Sequence, residues 1–291
     1  IVALCSSAQT QAACNDWGAE AGDIEARESS PAITVPVVVI TTAPAPAAAA
    51  RPEQDDFRWR GPVAAGRVIE IKGVNGDVRA ETAAGGEVEV TATKSARRSD
   101  PAGVRIQVVE HADGVTICAV YPSGDSSRPN TCEPGSGGRS NVRNNDTRVD
   151  FTVRVPASVR FNGRTVNGGV EARALGSDVE AHTVNGGVRV STAGLARAST
   201  VNGSITAIMG GANWAGALEF ATVNGGIELE LPSAASADVR AETVNGEIST
   251  DFPITVTGRF SKRNLTGTIG SGGRELRLKT VNGDVELRRT P

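Results

Sequence analysis

Three acids follow the same tight turn in this chain, Asp77, Glu247 and Asp284. Carboxylates at a repeated corner would suit calcium. Calcium needs six or more oxygens converging on one point, but the other corners carry Gly or Ser at this place, and no Gly-Gly-x-Gly-x-Asp run is present. The acids therefore read as solvated corner residues. His111 lies in a turn, and His182 falls among outward positions two residues before Val184. No Gly-x-Ser-x-Gly elbow accompanies them, so both read as surface histidines. Glycan hydrolysis would need paired carboxylates and usually aromatic platforms. The chain has three Trp, one Tyr and six Phe, unclustered. A glycan-acting β-helix enzyme is thus only a minor alternative. Trp214, the one aromatic on a protruding loop, reads as covering that loop's own base. No cofactor and no catalytic set is indicated.

Four cysteines, Cys5, Cys14, Cys118 and Cys132, show no C-x-x-C spacing and lie away from both histidines, which argues against zinc. The preferred disulfide pairing is Cys118 with Cys132 and Cys5 with Cys14, each closing a short loop. Disulfides point to an oxidising compartment. Residues 1–5 resemble the tail of a signal peptide, with small residues at Ala8, Ala12 and Ala13 where cleavage would fall. An exported protein, extracellular, on the cell surface or periplasmic, is the expectation. The net charge is -3 and the basic residues are scattered, a poor footprint for nucleic acid. No apolar run is long enough for a transmembrane segment.

The elements that must position these residues are set by a repeat. Val-Asn-Gly occurs seven times, and six copies are preceded by Thr. The corner pairs are Asn75-Gly76, Asn167-Gly168, Asn185-Gly186, Asn202-Gly203, Asn224-Gly225, Asn245-Gly246 and Asn282-Gly283. Leu265-Thr266-Gly267-Thr268-Ile269 reads as a worn eighth copy. A period near 20 residues marks a repeat architecture. With the Val numbered zero, apolar residues recur at -5, -3, +4 and +6, as in Val179, Ala181, Val188 and Val190. Each repeat is two short strands, apolar on one face, joined where Asn-Gly supplies a tight, positive-φ backbone. A meander of hairpins fits this pattern. A parallel β-solenoid fits it better, because stacking lays Val on Val and lets Asn side chains bond along the stack. The predicted fold is all-β, a right-handed parallel β-helix with coils of about 20 residues and an extended N-terminal segment; the hand is implied by the resemblance below.

Residues 69–78 resemble a bacterial domain-of-unknown-function family called "putative adhesin", as do the strand Phe151-Thr152-Val153-Arg154-Val155-Pro156 and the corner that follows it. The resemblance covers roughly residues 57–290. It implies an exported right-handed parallel β-helix with an adhesive role and no catalytic residues.

Residues 1–56 form an N-terminal extension with a β-rich run at 33–42 and a Pro/Ala linker at 43–52. The solenoid is expected over 57–291, with a long loop at 122–146. The last repeat is a full copy with only Arg288 and Arg289 to blunt it. That predicts an open coil; the run with Ile33, Val35, Val37 and Val39 either folds onto its own solenoid or offers a strand to the open coil of another copy. The function read from the sequence is a non-enzymatic surface protein with an adhesin-like binding or scaffolding role toward an unidentified ligand. The alternative is a fibre subunit stacking head to tail by strand addition.

Overall fold

The computed structural model describes residues 56–256 and 261–290. These form 21 strands and one short 3-10 turn. Two sheets, of ten and eleven strands, run side by side. Each coil gives one strand to each sheet, and the Thr-Val-Asn-Gly corner joins them. Val179–His182 and Val188–Thr192, for example, flank the corner at Asn185. Successive coils pair in parallel and in register: Val179 aligns with Phe161 on one side and with Ala196 on the other. The chain is a two-sheet β-solenoid, as the repeat predicts.

Alternation explains the interior. Positions -5, -3, +4 and +6 point inward, so Ile205, Ala207, Leu218, Phe220, Ile227 and Leu229 are all buried in one continuous core. A narrow interior between two sheets holds small and branched side chains best, which is why so few aromatics suffice.

The stacking order departs from the chain order at both ends. The corner asparagines follow the sequence Asn75, Asn167, Asn185, Asn202, Asn224, Asn282, Asn245. The last repeat, Glu275–Lys279 and Val285–Thr290, therefore lies between two coils that precede it in the chain. This corrects the expected open end. Arg288 and Arg289 sit on an interior strand, and Arg288 pairs with Glu228 at 2.9 Å and Glu286 at 2.6 Å. At the other end, Gly114–Val120 and Arg148–Val155 pair in parallel with the Asn75 coil, ahead of it in the stack. They are joined by the long segment 121–147, which contains the predicted loop.

Antiparallel strands close the stack. Arg105–His111 covers Gly114–Val120, while Glu87–Ser95 and then Phe57–Pro62 cover Arg148–Val155. Beyond the Asn245 coil, Asn264–Ile269 pairs antiparallel with Ala237–Glu242, and Ile254–Val256 pairs with it in turn. The supposed worn repeat, residues 265–269, is thus a capping strand. Its Leu265 and Ile269 are buried, but its neighbours run the wrong way for a coil. Ile33, Val35, Val37, Val39, Cys5 and Cys14, with the 33–42 run and the 43–52 linker, lie outside the described residues.

Candidate functional site

The corner residues have four distinct jobs. Thr at -1 is buried, and its hydroxyl donates to the corner Gly carbonyl of the neighbouring coil. Thr183 reaches Gly168 at 2.7 Å, and Thr200, Thr222, Thr243 and Thr280 reach Gly186, Gly203, Gly283 and Gly225 at 2.8 Å. The Gly makes room for that neighbour. A Cβ on Gly186, Gly203 or Gly246 would lie 2.0 Å from a carbonyl oxygen in the adjacent coil. At these three the φ is outside the left-handed region, so close approach rather than turn geometry demands glycine; Gly76, at φ 129°, has both reasons.

Asn forms a side-chain ladder. Asn167 Nδ2 donates to Asn75 Oδ1 at 2.8 Å, and the pattern repeats through Asn185, Asn202, Asn224, Asn282 and Asn245 at 2.7–2.8 Å. The Val points out. Val166, Val184, Val201, Val223 and Val244 are 38–56% exposed, which a fold spending its apolar groups on the core would not arrange. With coils about 4.8 Å apart, Val166, Val184, Val201 and Val223 form an apolar ridge beside a row of amides, and the half-buried Val281 separates that ridge from Val244.

A second polar row crosses the outer face of the eleven-stranded sheet. Side chains at equal positions in successive repeats become neighbours. Glu70 is 2% exposed. Its Oε2 accepts from Thr116 Oγ1 at 2.8 Å and from Gly135 N–H at 2.9 Å, while its Oε1 lies 3.6 Å from Arg164 and has no hydrogen bond. Lys72 donates to the carbonyls of Glu133, Gly135 and Gly137 at 2.5, 2.6 and 3.1 Å, pinning the loop. Burial pulls its ammonium below the usual lysine value, and Glu70 partly restores it. Cys118 and Cys132 are joined, with Cα atoms 5.7 Å apart, and tie the same loop to its strand.

Further along, His182 lies 2.6 Å from Ser199 Oγ through Nδ1 and 2.6 Å from Glu180 Oε1 through Nε2. The His182 hydrogen bond holds the Glu180 carboxyl below the usual range. This has the composition of a nucleophile relay. The nearby N–H groups of Thr183 and Thr200 are donated to the Ser199 and Ala221 carbonyls at 3.0 Å, so neither is free to hold an oxyanion. His111 Nε2 lies 3.1 Å from Thr116 Oγ1.

The post-turn acids face their own neighbours. Asp77 Oδ1 accepts from Gly169 N–H at 2.9 Å, and Asp284 Oδ1 from Glu247 N–H at 2.8 Å. Among the described residues, no group of three or more His, Cys, Asp or Glu side chains is placed to hold a metal ion. Trp214 is buried in the core and donates to the Glu275 carbonyl of the adjacent coil at 3.0 Å. Sequence reasoning missed the Thr hydroxyl row, the buried Glu70 and the loop-pinning Lys72. Only equality of position (His182 and Ser199 both stand at -2) signalled the sideways contacts.

A stacked two-sheet solenoid with repeated Thr-Val-Asn-Gly corners defines the class. Residues 176–288, which hold five of the corners, match the model of the Toastrack family, DUF4097. This is the kind of unknown-function family that the corner motifs resemble. No curated protein matches the chain. Among solved structures, a "putative cell adhesion protein" from Clostridium sporogenes is 11% identical, covering 81% of this chain and all of its own, with a TM-score of 0.42. A "putative adhesin" from Bacteroides fragilis is 12% identical over 82% of this chain and 99% of its own (TM-score 0.24). A "putative lipid binding protein" from Parabacteroides distasonis is 8% identical over 81% and 97% (TM-score 0.28). Likenesses at this level transfer no function.

Proposed function

We propose that this chain is a non-enzymatic, exported binding or scaffolding module with an adhesin-like role. The ridge of Val166, Val184, Val201 and Val223 carries the reading. Exposed apolar groups in a continuous patch mark interaction surfaces more often than scattered ones do. Val166, Val184, Val201 and Val223 stand on successive coils, a row that suits an extended partner lying along it, with apolar groups against the valines and polar groups against the Asn amides. The Cys118–Cys132 bond supports a compartment outside the reducing cytosol. Among the described residues no helix is long and apolar enough to cross a membrane.

The test is retention of protein-coated beads on immobilised polysaccharide, on mucin-type glycoprotein and on lipid vesicles. Val184→Asp with Val201→Asp and Val223→Asp should abolish retention on whichever surface holds the native chain. Equal retention by native and triple-variant beads would refute the ridge. Ester or glycoside turnover lost on Ser199→Ala or Glu180→Gln would refute the non-enzymatic reading.

A further inference from the structure

The Asn282 coil occupies a slot between two coils that come before it in the chain. We propose that this slot also accepts the same coil from a second copy, so that two chains exchange residues 275–290. This interaction goes beyond the binding role argued above and does not depend on it.

Three observations support exchange. Both sides of the slot pair in parallel with the inserted coil. Glu275–Lys279 pairs with Ala217–Ala221 and with Ala237–Glu242 over five residues on each side, and Val285–Thr290 pairs with Ile227–Pro232 over six and with Ile248–Thr250 over three. The corner bonds match: Asn282 donates to Asn224 at 2.7 Å, and Asn245 donates to Asn282 at 2.8 Å. The inserted coil cannot stay in water. Leu276, Leu278, Val285 and Leu287 are all 2% exposed or less, so a withdrawn coil must find an equivalent seat. The seat in another copy is chemically identical. Finally, the link from the preceding capping strand is a glycine-rich tight turn, closed by Gly272 N–H on the Ile269 carbonyl at 3.1 Å and tied to Asp238 by Gly273 N–H at 2.9 Å, short enough to re-form after the coil is exchanged. Gly270, Gly272 and Gly273 all hold positive φ, at 59°, 70° and 90°, which glycine adopts without steric cost. Exchange of an identical element is a low-cost route to assembly.

Glu219 and Arg277 are exposed register partners across the slot. Two differently tagged full-length chains, one carrying Glu219→Cys and the other Arg277→Cys, are unfolded together with the native disulfide intact, refolded and oxidised. The expected product is a covalent heterodimer joined through positions 219 and 277. Its share should grow when total chain is raised about tenfold, because exchange with a second copy is bimolecular. A Glu219→Cys chain mixed with a Ser123→Cys chain measures chance coupling. The double variant Glu219→Cys with Arg277→Cys should close its bond within one chain at low concentration, which reports the inserted coil itself. Heterodimer no more abundant than chance coupling, while the double variant closes internally, overturns the exchange. A double variant that folds but fails to close overturns the insertion on which it rests.

Discussion

At the residue scale, the corner motif assigns a different cost to each position. Gly203→Ala drives a Cβ to 2.0 Å from the Gly186 carbonyl oxygen, backbone against backbone. It should cost about 3 kcal/mol, the upper range for overpacking. Thr222→Val keeps the shape and removes the bond to Gly203, leaving a carbonyl without its partner, at about 1–2 kcal/mol. Asn202→Ala breaks two ladder bonds on an exposed edge where water replaces them, and should cost less than about 1 kcal/mol. Chemical denaturation of the three variants should return that order, and an Asn202→Ala cost above that of Thr222→Val would contradict it. Tyr121 offers a separate test, because it is the only tyrosine. Burial, the largest cause, pushes its phenol up to about 12. A raised folded pKa adds stability below the ordinary tyrosine range, lost as pH climbs through about 12. Ultraviolet titration should show no phenolate near pH ~10 while the protein stays folded.

At the element scale, coils and their inward faces were legible in the sequence because alternation and spacing report them directly. Ile69, Ile71, Val78 and Ala80 are where the pattern puts them, all buried. The order of the coils was not legible. Every corner carries nearly the same Val-Asn-Gly, so nothing local tells the Asn282 coil that its neighbours are Asn224 and Asn245. The capping strand at residues 264–269 was misread for a related reason: an alternating strand looks the same whichever way its partner runs. The candidate site was half legible, since the motif exposed Asn and Gly. The outward contacts of Glu70 and Lys72 depend on a loop far away in sequence. Asp146 anchors another such contact. Its carboxylate accepts from the Ser99 and Arg98 N–H groups at 2.8 and 3.1 Å, and the Ser99 amide, then its hydroxyl, holds the carboxyl below the usual range. A depressed folded pKa keeps the contact through the ordinary aspartate range and loses it as pH falls below. The protection of the Arg98 and Ser99 amides against exchange, relative to their intrinsic rates, should fall only then, and Asp146→Asn should abolish that fall.

At the scale of the whole molecule, insertion gives the last repeat a coil on each side. Leu278→Ala should therefore cost about 3 kcal/mol, as for a leucine in a closed core. A cost below about 1 kcal/mol, read by thermal unfolding, would place that coil at an exposed end instead. The Asn ladder gives the molecule one more property. Every amide donates in the same sense, from Asn245 through Asn282 and Asn224 to Asn75, whose own Nδ2 turns to the carbonyls of Asn145 and Thr147 at 3.4 Å. Aligned amide dipoles add head to tail and polarise one another. The corner is thus a one-way chain of charge displacement along the stack, electron-rich at the Asn245 end. The solenoid has an electrical direction, so a ligand carrying a dipole of its own would bind along the ridge in one orientation only.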